Sequence, residues 1–302
     1  MLERHEMEAF LAVASELHFG RAAEQIGVSP ARVSQAIQKV ERRIGAPLFE
    51  RTSRRVGLTP LGARLYAEVR PLYDGIQAAL DRARDAAHGV GGTLRLGIMG
   101  ALGHLILDVI DAFTDRHPEC EVQIREIHFS DPFGALRAGE IDVAVVWLPV
   151  REPDLRVGPV VVREGNVLAV SSRHRLAGRE TVSLEDIADE RVIGVDRPEV
   201  PEYWEIAHAP RHTRSGRAIP RGDRATTFQE ILAAVVTGPE VSFVSEHAKD
   251  FYVRPGITYI PISDAAPIRW GLVWRGAGEL HRVRAFAEAA EAVSLAKGIP
   301  QE

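Results

Sequence analysis

Phe19-Gly20-Arg21-Ala22-Ala23-Glu24-Gln25-Ile26-Gly27-Val28-Ser29-Pro30-Ala31-Arg32-Val33-Ser34-Gln35-Ala36-Ile37 is where the architecture of this chain first shows itself. Ala22, Ala23 and Ile26 form a short apolar stripe that stops at Gly27. Ser29 stands where an N-cap is needed, and Pro30 occupies the first helical position. Val33, Ile37, Val40 and Ile44 then run down one face until Gly45 ends the helix. Upstream, Phe10, Leu11, Ala14 and Leu17 mark a preceding helix. Two helices joined by Ile26-Gly27-Val28-Ser29 have the spacing of a helix-turn-helix.

Charge sharpens that reading. Over its 302 residues the chain carries 37 Lys and Arg against 42 Asp and Glu, a net −5 that argues against a general polyanion binder. Yet residues 32–55 hold Arg32, Lys39, Arg42, Arg43, Arg51, Arg54 and Arg55 against only Glu41 and Glu50, a local +5. Residues 1–91 sum to +2 and the remainder to −7, so the acidic bulk lies outside the helix-turn-helix. Off the apolar face of the helix that starts at Pro30 lie Ala31, Arg32, Ser34, Gln35, Gln38 and Lys39. Arg and Gln suit guanine and adenine edges in the major groove, whereas Ser and Lys suit phosphate oxygens. A solvated surface helix with ordinary arginines would have the same composition.

Thr59-Pro60 repeats the cap-then-proline signal. Leu61, Leu65, Val69, Leu72, Ile76, Leu80, Ala83 and Ala87 follow at the three-four spacing of a coiled-coil seam, interrupted in backbone bonding only at Pro71. A partner helix is expected, although packing on the chain's own domains would also use such a face. Gly89-Val90-Gly91-Gly92 serves as a hinge.

From Thr93 onward strand-like and helix-like runs interleave. Strands are expected at 94–98, 121–128, 141–147, 167–170, 191–195, 240–244, 257–262 and 268–274, and helices at 102–116, 132–138, 184–188, 227–236 and 279–297. Such alternation predicts parallel sheets covered by helices on both faces. The length favours two α/β lobes with a cleft between them.

The run 19–37, continued by Val40-Glu41, Ile44-Gly45, Pro47-Leu48-Phe49-Glu50-Arg51 and Leu58-Thr59-Pro60-Leu61-Gly62, resembles the N-terminus of LysR-type transcriptional regulators. His174-Arg175-Leu176-Ala177 and Val182-Ser183-Leu184-Glu185-Asp186 resemble, more weakly, the family's region between lobes. The resemblance implies an α+β multidomain protein. A winged helix-turn-helix would span 1–58, a linker and dimerisation helix 59–88, a hinge 89–92 and a two-lobed α/β effector-binding domain 93–302. Lobe I would take 93–162 and 265–302, lobe II 163–264, in a layout similar to periplasmic binding proteins. The helix at 30–43 would enter the major groove and residues 51–56 would form the wing. The residues implied to contact double-stranded DNA are Ser29, Pro30, Ala31, Arg32, Ser34, Gln35, Gln38, Lys39, Arg51, Arg54 and Arg55. Arg32 and Gln35 would discriminate bases, while Ser34, Lys39, Arg51 and Arg54 would set the backbone register. Pro30, Arg32 and Gln35 depart from the family's commonest pattern, which should change the bases read. Homodimerisation through the linker, assembly to a homotetramer and contact with RNA polymerase also follow from the resemblance.

For the cleft, the resemblance implies a small-molecule effector, often a carboxylate held by a hydroxyl after the first strand. Here that segment is Met99-Gly100-Ala101-Leu102-Gly103, with no Ser or Thr, so main-chain donors or a less polar ligand are expected. By position, Met99, Gly100, Ala101, Leu102, Phe129, Ser130, Val195, Asp196, Thr226 and Thr227 are the effector-site candidates. Ser130 and Thr226 serve equally well as helix caps. The basic run Arg211, Arg214, Arg217, Arg221 and Arg224 reads as solvated surface or loop, with steering of an acidic effector as the alternative.

Catalytic signatures are missing. The glycines at 89, 91 and 92 precede a strand instead of following one, and there is no Walker A, HExxH or G-x-S-x-G sequence. His208 and His212 are separated by Pro210, which argues against paired metal ligands. Cys120 is the one cysteine, excluding an intrachain disulfide, and reads as a small half-buried residue before a strand. No cofactor is expected apart from the effector. The acidic N-terminus and the lack of an 18-residue apolar run predict a cytoplasmic protein, neither exported nor membrane-spanning. A solute receptor would be the reading of residues 93–302 alone; the basic helix-turn-helix decides against it.

Overall fold

The computed structural model describes residues 3–51, 56–88, 90–195, 200–277 and 279–301, with the side chains at 51, 78, 81–82 and 84–88 outside that description. Two compact units result, Met1–Leu80 and Asp81–Glu302. In the first, helices α1 (Arg4–Glu16), α2 (Phe19–Gln25) and α3 (Pro30–Ile44) precede a two-stranded antiparallel ribbon, β1 (Phe49–Arg51) and β2 (Val56–Leu58). Helix α4 (Pro60–His88) follows and runs continuously through Pro71.

Burial of one face per helix explains the arrangement. Phe10 and Val13 of α1, Ala22 and Ala23 of α2, and Val33, Ile37 and Val40 of α3 share a core with Leu48 and Phe49. Phe49 receives the rings of Phe10 and Phe19 edge-on, at centroid distances of 5.8 and 6.2 Å. Thr59 starts α4: its Oγ1 accepts the Gly62 N–H at 3.0 Å and donates to Pro47 O at 3.0 Å. Gly62 is needed at this crossing, because a Cβ there would collide with the Leu48 carbonyl oxygen. The α4 seam is divided. Leu61, Leu65 and Val69 are partly buried against the helix-turn-helix core, whereas Leu72, Ile76 and Leu80 are 69%, 55% and 45% exposed.

In the second unit, one sheet has the order β4-β3-β5-β12-β6. It is made of β3 (Gly92–Ile98), β4 (Cys120–Glu126), β5 (Val143–Trp147), β6 (Leu155–Glu164) and β12 (Ile268–Arg275). Helices α5 (Leu102–Leu105) and α6 (Leu107–Arg116) follow β3, and α7 (Gly134–Ala138) lies between β4 and β5. Helix α12 (His281–Ala296) packs on α6, with Phe113 and Phe286 meeting edge-on at 5.3 Å. Arg95 and Asp142 form an ion pair at 2.6 Å on this sheet.

After Glu164 the chain enters a second sheet. Strand β7 (Asn166–Ser171) lies between β10 (Ser242–Ser245) and β11 (Ile257–Pro261), antiparallel to both. Strands β8 (Val192–Val195) and β9 (Arg221–Ala225) pair in parallel, and a Val192–Val241 bridge joins them to the others. Helices α8 (Leu184–Ile187), α9 (Glu202–His208), α10 (Phe228–Thr237) and α11 (Ala248–Phe251) surround this sheet. The return crossing lies between β11 and β12.

The expectation of purely parallel sheets is therefore corrected. Strand β12 arrives from the second sheet and inserts antiparallel between β5 and β6, and β7 is antiparallel to both neighbours. Strand β6 is hidden in the sequence because Gly158-Pro159 looks like a breaker. It sits opposite the register shift around Gly271, where the missing proline N–H breaks no regular ladder. Strand β9 is hidden because Arg221, Asp223 and Arg224 are charged, and it is an edge strand. Helix α9, between two prolines, is a further element beyond those expected. Residues 102–116 form two helices broken at Ile106. Cys120 is buried as the first residue of β4, not half-buried ahead of it.

Candidate functional site

Two surfaces carry chemistry, one in each unit. On α3, Ser29 Oγ accepts the Arg32 N–H at 3.4 Å and sets the first turn. Val33, Ala36, Ile37 and Val40 are buried. Ser29, Pro30, Ala31, Arg32, Gln35, Gln38 and Lys39 are exposed and Ser34 is half-buried. Arg32, Gln35, Gln38 and Lys39 show no side-chain hydrogen bond or ion pair among the described residues, so their polar groups face solvent. Other charges of the segment are structural. Glu41 Oε1 accepts the N–H groups of Leu48 and Phe49 at 2.9 and 3.2 Å and so fixes the start of the ribbon. Arg43 Nη1 pairs with the buried Glu6 at 3.0 Å. The Glu3 backbone N–H, then Arg43, hold the Glu6 carboxyl below its usual range. Arg51 ends β1; its side chain, and Arg54 and Arg55 entirely, lie outside the described residues.

In the second unit a cavity of about 160 Å³ opens between the two sheets. Of the sequence candidates, Met99, Gly100, Phe129, Val195 and Thr227 line it. Ala101, Leu102, Ser130 and Thr226 do not, and Asp196 lies outside the described residues. Leu102 and Ser130 are buried away from it. The capping assignments shift by one position. Thr227, not Thr226, caps α10 by accepting the Glu230 N–H at 3.3 Å, while Thr226 donates its N–H to the Glu230 carboxylate. Ahead of α7 it is Asp131, not Ser130, that accepts the Gly134 N–H, at 3.0 Å.

Sequence reasoning missed much of the wall. Trp147 and Trp270 stack at 5.8 Å, and Glu205 and His208, one turn apart on α9, also line the cavity. Burial among these rings pushes the His208 pKa down to about 3, partly offset by its bond to the Trp204 carbonyl. Trp204 itself is fully buried and donates Nε1–H to Trp147 O at 3.1 Å, so α9 is anchored to the other sheet. Three further contacts cross the cleft. Tyr203 Oη accepts the Arg151 N–H at 3.0 Å, and burial pushes its pKa up to about 12. His104 stacks on Phe251 at 5.0 Å. Gly100, at φ +56°, leaves room for the Tyr252 hydroxyl, which any Cβ would strike. At the crossing between sheets, Glu164 accepts Trp270 Nε1–H at 2.6 Å and the His247 N–H at 2.8 Å. No Lys or Arg is among the described residues that line the cavity.

The basic run is largely exposed, as expected, and its charges are held by neighbours. Arg211 pairs with Glu202 at 2.6 Å, Arg217 pairs with Asp189 at 2.7 Å, and Arg214 donates to Asp264 O at 2.7 Å. Arg221 and Arg224 belong to β9. Among the described residues no group of three His, Cys, Asp or Glu is placed to hold a metal ion. No helix among them is long and apolar enough to cross a membrane.

Comparison with known proteins matches each unit to a family model. Residues 5–63 match the model of the bacterial regulatory helix-turn-helix protein, lysR family, and residues 87–294 match the LysR substrate binding domain. The transcriptional regulator YnfL of Escherichia coli (strain K12) is 31% identical over 281 residues, covering 90% of this chain and 92% of YnfL. A full-length OxyR of Pseudomonas aeruginosa, in a cysteine-to-aspartate variant, has the same fold, with a TM-score of 0.67 at 22% identity, covering 98% of this chain and 95% of OxyR. CbnR complexed with its target DNA gives a TM-score of 0.63 at 21% identity, covering 96% and 99%. The chain belongs to the LysR family: it is a LysR-type DNA-binding transcriptional regulator with an effector-binding domain.

Proposed function

We propose that α3 enters the major groove of operator DNA and that the cavity between the sheets receives the effector. The observation that carries the DNA assignment is the α3 face, which presents Arg32, Gln35, Gln38 and Lys39 outward with no side-chain hydrogen bond or ion pair among the described residues. Arg32 and Gln35 read base edges. Ser34, Lys39, Arg51 and Arg54 hold phosphates, with Ser29, Pro30, Ala31 and Arg55 completing the contact. The exposed Leu72, Ile76 and Leu80 seam supports dimerisation through α4, and dimers of this family pair into tetramers. Two-fold heads call for half-sites about 34 Å or a multiple apart. The linker spans 59–88 and its hinge 89–92; residues 163–264 form the lobe that moves against 93–162 and 265–302. Effector binding shifts the balance between two lobe arrangements by its differential affinity, and the shift alters the spacing of the DNA heads and contact with RNA polymerase. The work is done in the cytoplasm and needs no catalytic step. A gel shift on the protein's own upstream intergenic DNA tests the reading. Salt-sensitive binding with preference over unrelated DNA is expected, and its absence refutes it.

A further inference from the structure

We propose that the cavity takes a compact, uncharged arene that donates a hydrogen bond, of the phenol, arylamine or indole kind, and discriminates against carboxylates. The proposal rests on the reading of this cavity as the effector site. Size is the first observation. About 160 Å³ is close to the roughly 150 Å³ apolar cavity known to hold benzene, so one or two fused rings fit. Shape is the second. The stacked Trp147 and Trp270 form one wall and Phe129, Phe228 and Tyr252 lie around it, surfaces that favour a flat apolar ligand.

The polar groups then fix the ligand's sign. Among the described lining residues there is no Lys or Arg, while Glu126 and Glu205 are both there. A carboxylate would enter beside two like charges with no Lys or Arg in the described wall to pair with, which is costly against a wall this apolar. Nor is a ligand cation required, because Glu205 is already 3.5 Å from Arg211, and Arg221 acts on it electrostatically. Arg221 is not in the wall; its Nη2 donates to Ala209 O at 2.6 Å.

His208 supplies the acceptor. Its Nδ1 lies 2.9 Å from Trp204 O, and a carbonyl oxygen can only accept, so Nδ1 carries the proton. The ring stays neutral at physiological pH, which leaves Nε2 as a bare acceptor on a side chain that lines the cavity. One turn earlier on the same face of α9, Glu205 offers a second acceptor. An O–H or N–H on the arene satisfies the His208 Nε2 acceptor, whereas toluene leaves it unpaired.

The test uses the full-length protein and five probes: phenol, aniline, indole, toluene and benzoate, with calorimetry and quenching of tryptophan fluorescence as readouts. Phenol, aniline and indole are expected to bind at least about tenfold more tightly than benzoate, and more tightly than toluene. His208→Phe, which keeps a planar ring, should erase the margin over toluene while toluene still binds. Benzoate binding as well as phenol, or none of the five binding at millimolar concentration, overturns the proposal. An unchanged phenol-to-toluene ratio in a folded His208→Phe protein does so too. Should that variant misfold, Glu205→Gln and the ranking of probes on the wild-type protein decide. A gel shift separates the two readings. If phenol binds with this ranking but leaves the operator complex unchanged, the ligand class stands and the effector assignment falls. If only carboxylates alter the complex, the ligand class falls and the effector assignment stands.

Discussion

Replacing Ile76 of α4 by Ala should weaken self-association and leave the monomer almost untouched. Ile76 is 55% exposed and lies between Leu72 and Leu80, at 69% and 45%, at successive four-residue steps along one helix face. Fully burying such a side chain stabilises by about 1.5–3 kcal/mol. Covering the exposed half in a helix pair therefore contributes roughly 0.8–1.5 kcal/mol per copy. A two-fold interface contains the residue twice, so the substitution should cost the dimer about 1.5–3 kcal/mol, a factor of about 10 to 150 in its dissociation constant. Within the monomer the same change should be nearly silent, since an exposed helical position accepts Ala without loss. Sedimentation velocity over a dilution series measures both species, and circular dichroism checks the helix content. Ile76→Asp should dissociate the assembly further. If neither variant changes the mass distribution, α4 does not self-associate through this face.

Other expectations follow from single sites. Arg32→Ala should reduce discrimination between the operator and unrelated DNA by about 1–3 kcal/mol per head. Because Arg32 has no partner among the described residues, thermal stability should stay within about 0.5 kcal/mol of wild type. Gly62→Val should unfold or strongly destabilise the N-terminal unit, as read by urea denaturation, because its Cβ meets the Leu48 carbonyl. His208 gives a pH signature. Its folded pKa of about 3 lies below the ordinary 6.5, so the unfolded chain binds the extra proton; stability is full above 6.5 and falls as pH drops below it. At pH 5 the loss should be about 2 kcal/mol, and His208→Gln should flatten that slope. Glu164→Gln should weaken the tie between Trp270, His247 and the crossing between sheets. Ligand affinity should then change less than the ligand's effect on the operator complex, measured by titration and gel shift in parallel.

The helix-turn-helix was legible because its signals are local. Ser29-Pro30, the 3.6-residue stripe and Gly45 each act within a few residues, and the structure uses each of them. The cleft was legible only in part. Met99, Gly100 and Phe129 could be placed because loops after early strands face a switch point. Trp147, Glu205, His208 and Trp270 could not, because two crossings between the sheets bring them together from positions spread over more than a hundred residues. One signal was available: Glu202-Tyr203-Trp204-Glu205-Ile206-Ala207-His208 carries helical spacing between two prolines. The antiparallel insertion of β12 was likewise invisible, since strand direction depends on the route of the chain and not on composition.

Recognition of DNA by α3 and the wing stands or falls on the salt dependence of operator binding. On the proposed assignment of Lys39, Arg51 and Arg54 to phosphates, a dimer would neutralise about six, and the slope of log K against log salt should be near −5. Lys39→Ala should make it shallower by about two, because each head then neutralises one phosphate fewer, with the sequence preference retained. A slope near zero, or equal affinity for upstream and unrelated DNA, would contradict this mode of recognition.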